Sequence, residues 1–241
     1  MPNIRFGDID FSGDGAYIWG AGEYSAPSRS VDFIEVPGRN GDLVIDNGNY
    51  NNIKARFSVV ITRDVEKNTD RLKYLLYSQK GYQKLYDSDM KGFYRMACFS
   101  DGFDIASTEA GVVHIEFDCK PLKYDIVGEE TIVLSGSHSY ELYNPYFESS
   151  RPLVTIYADT QGSYIGADIL VNDKAIHIKE VDEHITIDTE LQDAYEERQL
   201  GIINQNKNVS TADFCLKAGK NKISCTPNVS KLEIKPRWVT I

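Results

Sequence analysis

The chain has 241 residues, of which 41% are hydrophobic and 26% charged; its formal net charge is −10 and its pI is near 4.9. A chain of this size can bury a core without a disulfide or metal staple, and its acidity argues against nucleic acid as a main partner, which needs clustered Lys and Arg. No apolar run approaches the ~20 residues of a membrane helix, and the start, "MPNIRFGDIDFSG", has no apolar signal core, so folding in a cytoplasm is expected.

The first organised passage is "EVPGRNGDLVIDNGNYNNIKARFSVVIT", residues 35–62. Pro37-Gly38, Asn40-Gly41 and Asn47-Gly48 are turn formers, because Gly and Asn tolerate positive φ. They predict "DLVID" as one short strand with a tight reversal at each end. In "IKARFSVVIT", Ile53, Ala55, Phe57, Val59 and Ile61 alternate with Lys54, Arg56, Ser58, Val60 and Thr62, the pattern of a strand with one apolar face. "NTDRLKYLLYSQKG" carries Leu72, Leu75, Leu76 and Gln79 at helical spacing. Asn68 or Thr69 is the expected cap, and Gly81 suits the left-handed position after the end. "FYRMACF" reads as a strand before an Asp101-Gly102 turn. "VVHIEFDC" alternates Val113, Ile115, Phe117 and Cys119 against His114, Glu116 and Asp118.

Beyond about Val127 short strands recur with turns between them: "TIVL", "PLVTIYA", "ADILV", an Asn172-Asp173 turn, "AIHIK", "ITID", "DFCL", "NKISC" and "KLEIK". That spacing predicts an antiparallel β-sandwich. The acidic stretch 181–197, "VDEHITIDTELQDAYEE", reads as a solvated face or loop, and 200–212, "LGIINQNKNVSTA", as a polar loop. The fold class is therefore mainly β with one helix, in two parts: an α+β N-terminal domain over 1–128 and a C-terminal sandwich over 129–241, with "GEE" at 128–130 marking the boundary.

None of the chemical motifs tested is complete. A P-loop needs a lysine directly after its second glycine and a helix behind it; here Gly38 is followed by Gly41, no lysine comes before Lys54, and a strand follows. The dinucleotide fingerprint fails likewise. "DIDFSGDG", residues 8–15, places Asp8, Asp10, Ser12 and Gly13 as in a calcium loop, but the twelfth position, which should be Glu, is Trp19. The histidines His114, His138, His177 and His184 form no zinc-protease motif, and there is no Gly-x-Ser-x-Gly elbow. Carboxylates are plentiful, and no pair is singled out for glycoside hydrolysis. Cys98, Cys119, Cys215 and Cys225 form no Cys-x-x-Cys pair; Cys98 and Cys119, in strand-like runs, are expected to be buried free thiols. The expectation is a protein without catalytic residues, cofactor or metal. "SYELYNPYF" clusters Tyr140, Tyr143, Tyr146 and Phe147, side chains that stack on sugars and also serve at protein interfaces.

"VDFIEVPGRNGDLVIDNGNYNNIKARFSVVI", "LYSQKGYQKLYDSDMKGFYRMACF", "NPYFESSRPLVTIYADTQG", "ITIDTELQDAYEE", "LKAGKNKISC" and "LEIKPRWVTI" together resemble the distal tail protein (Dit) family of long-tailed, non-contractile bacteriophages, over nearly the whole chain. The Val-Pro-Gly-Arg-Asn-Gly-Asp run and the terminal Pro-Arg-Trp are its most specific parts, and 200–212 matches little. The resemblance implies a hexameric ring built by the N-terminal domain at the virion tail tip. It implies stacking between the tail tube protein and the tail-associated hub protein, with genomic DNA only passing through the channel. It implies a galectin-like C-terminal sandwich on the periphery that holds receptor-binding or other baseplate proteins, and assembly in the host bacterial cytoplasm. The residues expected at the ring contact are Pro37, Gly38, Arg39, Asn40 and Gly41, with Asp46, Asn47, Gly48, Asn49 and Tyr50. The rival reading is a carbohydrate-binding module acting at a bacterial cell surface.

Overall fold

A computed structural model of the chain describes residues 3–11, 15–102, 105–107, 111–159 and 165–241, with the backbone alone at 105–107 and 165. The chain is mainly β with one helix and forms two compact units, Met1–Lys123 with Ile241, and Tyr124–Thr240.

The first unit begins with β1 (Ile4–Phe6), β2 (Ile9–Asp10) and β3 (Ala16–Tyr24), then β4 (Arg29–Ile34), β5 (Leu43–Tyr50) and β6 (Ile53–Ile61). The helix α1 (Val65–Ser78) precedes β7 (Gln83–Asp87), β8 (Phe93–Cys98), β9 (Ile105–Ser107) and β10 (Val112–Asp125). The main sheet runs β2-β1-β7-β8-β10-β6-β3, with β9 also on β10. The alternation read in β6 and β10 is the alternation of the core: Ile53, Ala55, Phe57, Val59 and Ile61 are buried, as are Val113, Ile115, Phe117 and Cys119. The two strands pair antiparallel from Val112↔Val60 to Cys119↔Ile53, so both apolar faces point the same way. Phe117 is the hub, with Phe6 at 4.7 Å and Phe57 at 6.0 Å between ring centroids. The helix joins this core through Leu72 and Leu76.

The helix starts earlier than its expected cap. Asp64 occupies the N-cap with a left-handed φ of 42° and no side-chain bond. Asn68 and Thr69 lie inside the first turns, donating back to the Arg63 and Val65 carbonyls at 2.6 Å each. Gly81 is left-handed (φ 67°) but sits in the loop before β7, since Gln79 already turns the helix end into extended backbone. The N-terminal strands β1 to β3 went unread because Gly7 breaks the first pair and residues 20–22 bulge out of β3, where the register slips between Trp19 and Glu23. Cys119 is buried as expected, whereas Cys98 is half-buried.

The second unit comprises β11 (Ile132–Ser135), β12 (Ser139–Asn144), β13 (Leu153–Ala158), β14 (Ile165–Val171), β15 (Lys174–Val181), β16 (His184–Asp188), β17 (Asp193–Arg198), β18 (Gly201–Asn204), β19 (Gly219–Cys225) and β20 (Val229–Lys235). They form a six-stranded sheet, β11-β20-β13-β16-β17-β18, and a four-stranded sheet, β12-β19-β14-β15. Val154, Ile156, Ile185 and Ile187 from the first and Ile169, Ile176, Ile178 and Ile223 from the second share one buried core, which is an antiparallel sandwich.

Three expectations are corrected here. The acidic stretch 181–197 is neither loop nor solvated face: it is the strands β16 and β17, with Ile185, Ile187, Ala194 and even Asp188 and Glu196 buried. Asp188 is covered because Arg237 donates to both its oxygens, at 2.8 and 2.9 Å, and Glu196 because Arg198 pairs with it at 2.6 Å. The "DFCL" run is irregular chain with a single bridge, Leu216 to Ser150; Phe214 and Leu216 are core residues without being strand residues. The stretch 200–212 contains the edge strand β18.

Two buried asparagines lock the sandwich loops. Asn144 donates to the Glu148 and Leu216 carbonyls and accepts from Tyr146 N–H. Asn221 accepts from Lys217 N–H and donates to the Lys217 and Gly219 carbonyls.

Candidate assembly surface

β4 and β5 form a two-stranded antiparallel sheet of their own, paired with no other strand among the described residues. All ten residues expected at a ring contact lie on this arm. Pro37, Gly38, Arg39, Asn40 and Gly41 form its tip, and Asp46, Asn47, Gly48, Asn49 and Tyr50 lie along β5.

The tip begins with a turn over residues 36–39. Arg39 N–H donates to the Val36 carbonyl at 3.1 Å, Pro37 supplies the fixed φ of the first central position, and Gly38, at φ 81°, supplies the positive φ of the second. Those are the demands of a type II turn. The second expected reversal does not occur. Asn47 and Gly48 lie within β5, where Val31 faces Asp46 but Arg29 faces Tyr50. Between these pairs one residue of β4, Ser30, opposes three of β5, Asn47 to Asn49, which makes a bulge. Asp46 stabilises it: its Oδ1 accepts from Gly48 N–H at 2.9 Å, and its Oδ2 accepts from Arg29 at 3.2 Å. Asn47 Nδ2 donates across to Asp32 Oδ2 at 3.1 Å and Ser30 Oγ at 3.3 Å. A positive-φ glycine makes a bulge as readily as a turn, and the carboxylate beside it decides which.

The base of the arm is tied down. Asn51 N–H donates to the Ser28 carbonyl at 2.9 Å. Asn52 Nδ2 reaches Tyr82 Oη at 2.7 Å and Asp118 Oδ1 at 2.8 Å. Next to it, on the polar face of β6 and β10, Lys54 meets Asp101, Glu116 and Asp118 at 3.0–3.5 Å, and Arg56 pairs with Glu116. The Asp101 carboxylate, then Glu116, raises the Lys54 ammonium above its ordinary range. Arg56, then Lys54, holds Glu116 below the usual carboxylate range. Both cations at the base are thus held by carboxylates.

The residues that sequence reasoning missed are the apolar ones. Phe33 and Val44 face each other across the ribbon, 66% and 55% exposed. Ile34 and Leu43 face each other on its opposite side, with Ile45 beside Leu43, each 43% exposed. An apolar band on both faces of a two-stranded ribbon is a surface built to be covered. The signal was in the sequence: "VDFI" and "DLVI" put adjacent apolar residues on paired strands, which fills both faces. Trp19, also 66% exposed, stands on β3, the last strand of the main sheet.

Elsewhere the chemistry is sparse. Asp8 and Asp10 of the calcium-like stretch are described, while its Ser12 and Gly13 lie outside the described residues; Trp19 lies in β3. Among the described residues no group of three or more His, Cys, Asp or Glu side chains is arranged to hold a metal, and no helix is long and apolar enough to cross a membrane. His177 meets Asp168 at 2.7 Å on the exposed face of the four-stranded sheet. Of the tyrosine cluster, Tyr140 and Tyr146 pack against the core, while Tyr143 and Phe147 are exposed.

No protein-family model and no curated protein sequence matches the chain. In three dimensions it is similar to the crystal structure of SPP1 Dit (gp 19.1), a protein described as a paradigm of the hub adsorption apparatus in Gram-positive infecting phages. The TM-score is 0.71 over 97% of this chain and 97% of that one, at 12% identity. The two proteins share a fold almost without sharing a sequence.

Proposed function

We propose that this chain is a structural protein of a phage tail tip, a Dit-like subunit that closes into a hexameric ring. The observation that carries the reading is the apolar arm. A two-stranded ribbon is at best marginally stable alone, and one with apolar residues on both faces gains by being covered. In a closed ring each copy presents one patch to a different patch on the next, so an arm needs only one receiving surface per copy. The likeness of fold to SPP1 Dit over nearly the full length of both chains supports the same assignment.

In this reading the N-terminal domain, 1–128, builds the ring, with residues 37–41 and 46–50 of the arm at the contact between copies. The ring joins the tail tube protein to the hub protein and lets DNA pass without holding it, which suits a chain of net charge −10. The galectin-like C-terminal domain, 129–241, lies on the periphery and offers a platform for receptor-binding or baseplate proteins. The ring is assembled in the host cytoplasm and ends in the virion tail tip. The role is one of shape and contact, without catalysis or cofactor.

Negative-stain microscopy of the purified chain, with and without the tail tube protein, tests this. Six-fold rings with a central hole are expected; a chain that stays monomeric at high concentration beside the tube protein contradicts the reading. The exposed Tyr143 and Phe147 favour a second reading, a carbohydrate-binding sandwich acting at a bacterial surface. Binding of the monomeric chain to a glycan array, lost in Tyr143→Ala, distinguishes it.

A further inference from the structure

Two Asn-Gly dipeptides lie on the arm, at 40–41 and 47–48, and identical chemistry meets opposite surroundings there. We propose that Asn40 is a site of spontaneous deamidation, and that Asn47 is held against the same reaction by its hydrogen bonds. The reaction needs only water. The backbone nitrogen of the following glycine gives up its proton and attacks the asparagine Cγ; a C–N bond forms, the Cγ–Nδ2 bond breaks, and ammonia leaves with the proton. Water then opens the five-membered imide at either carbonyl, giving aspartate or isoaspartate. No oxidant or reductant is involved. Glycine is the most permissive successor, because no Cβ hinders its nitrogen and its backbone moves freely.

At Asn40 the exposed carboxamide and the Gly41 N–H have no hydrogen-bond partner among the described residues, so leaving group and nucleophile are both at liberty. At Asn47 both are engaged. The leaving Nδ2 donates to Asp32 and Ser30, and the nucleophile, Gly48 N–H, donates to the Asp46 carboxylate at 2.9 Å. A carboxylate accepting that proton opposes removing it and building negative charge on the nitrogen. Conversion at Asn40 places a carboxylate between Arg39 and Asp42 and, in the isoaspartyl product, lengthens the turn backbone by one methylene. The arm therefore ages at its tip first.

The test is incubation of the folded, purified chain, diluted until it is monomeric so that no ring contact covers the tip, at mildly alkaline pH and 37 °C, followed by digestion at weakly acidic pH with a lysine-specific protease. Lys54 is the first lysine in the chain, so a single fragment, 1–54, holds both sites and each is the other's control. Fragment mass spectrometry is expected to show Asn40 converting at least about ten-fold faster than Asn47, the ratio that one charge-assisted hydrogen bond supplies. In denaturant the two rates converge. Asp46→Ala accelerates Asn47 and leaves Asn40 unchanged. Equal rates in the folded chain overturn the proposal, as does a slow Asn47 in the unfolded chain, which would place its protection in local sequence. An Asn47 rate unmoved by Asp46→Ala overturns the protective role of that carboxylate.

Discussion

Replacing Phe33 and Val44 together by serine removes one apolar face of the arm while leaving its backbone intact. Neither side chain belongs to the core of the unit, and both are more than half exposed, so the monomer loses little: its thermal unfolding midpoint is expected to stay within the effect of an ordinary surface change, about 0.5 kcal/mol. The contact loses more. Burying the exposed two-thirds of a phenylalanine is worth about 1–2 kcal/mol, and the exposed half of a valine about 1 kcal/mol. Each contact in the proposed ring then weakens by about 2–3 kcal/mol, or roughly thirty- to one-hundred-and-fifty-fold. A closed ring repeats that loss at every junction. Sedimentation velocity across a dilution series reads it as a shift of the ring-to-monomer midpoint to higher concentration, and circular dichroism checks the monomer. An unchanged midpoint refutes the reasoning, because it leaves the apolar band uncovered in the assembly. A fall in monomer stability with the midpoint unmoved refutes it equally, because the band would then be a core feature.

Gly38→Val with Gly41→Val forces β-branched residues into positive φ, where open space around both sites leaves backbone strain as the whole cost, about 1–2 kcal/mol each. Hydrogen exchange is expected to accelerate in the arm and nowhere else, and the ring to weaken. Arg237→Met strands the Asp188 carboxylate in the sandwich, and unfolding in urea is expected to report a loss of about 3–5 kcal/mol. The pH dependence follows from the same pair. Burial alone raises the Asp188 carboxyl, but the Arg237 guanidinium and the N–H groups of Leu191 and Glu190 bring it below its ordinary value. A folded pKa below the unfolded one contributes stability above the unfolded value, near 4, and loses it as pH falls through the folded value. The urea midpoint is therefore expected to drop on acidification below about pH 4. In Arg237→Met only the Leu191 and Glu190 N–H groups still oppose burial, so the carboxyl rises from its value in the unsubstituted chain and the acid loss at this site shrinks. Parallel acid profiles for the two proteins would contradict the assignment.

Much of the fold was legible where one face of a strand is buried and the other wet. β6 and β10 show it: period-two alternation survives because each inward residue meets Phe117 or its neighbours. Legibility failed where long-range pairing rewrote local character. Asp188 makes β16 look solvated, and the residue that lets it be buried, Arg237, lies far along the chain with no local signature; Glu196 in β17 is paired by Arg198 of the same strand, a local pair that charge counting alone does not single out. The "DFCL" run fails in the opposite sense. Its alternation is real, since Phe214 and Leu216 point into the core, but alternation reports burial and not pairing. The helix start was misplaced because Asn68 and Thr69 have capping side chains that here bond backwards, to the Arg63 carbonyl just ahead of the helix and the Val65 carbonyl at its first residue.

The arm shows how a local rule can single out a segment while describing only part of its structure. Turn chemistry at Pro37-Gly38 and Asn47-Gly48 drew attention to this segment, and the first is a turn. The second shares its positive-φ glycine and becomes a bulge, because Asp46, one residue earlier, accepts the glycine N–H and keeps the chain running along β4. That carboxylate lengthens the ribbon, and the extra length carries Phe33, Ile34, Leu43, Val44 and Ile45 beyond the reach of their own core. In the proposed ring the glycines serve the contact through the shape they give the arm. They permit, with Asp46, an arm long enough to expose side chains that only another surface can bury, and the same bond that shapes the arm shields Asn47 while leaving Asn40 open to water.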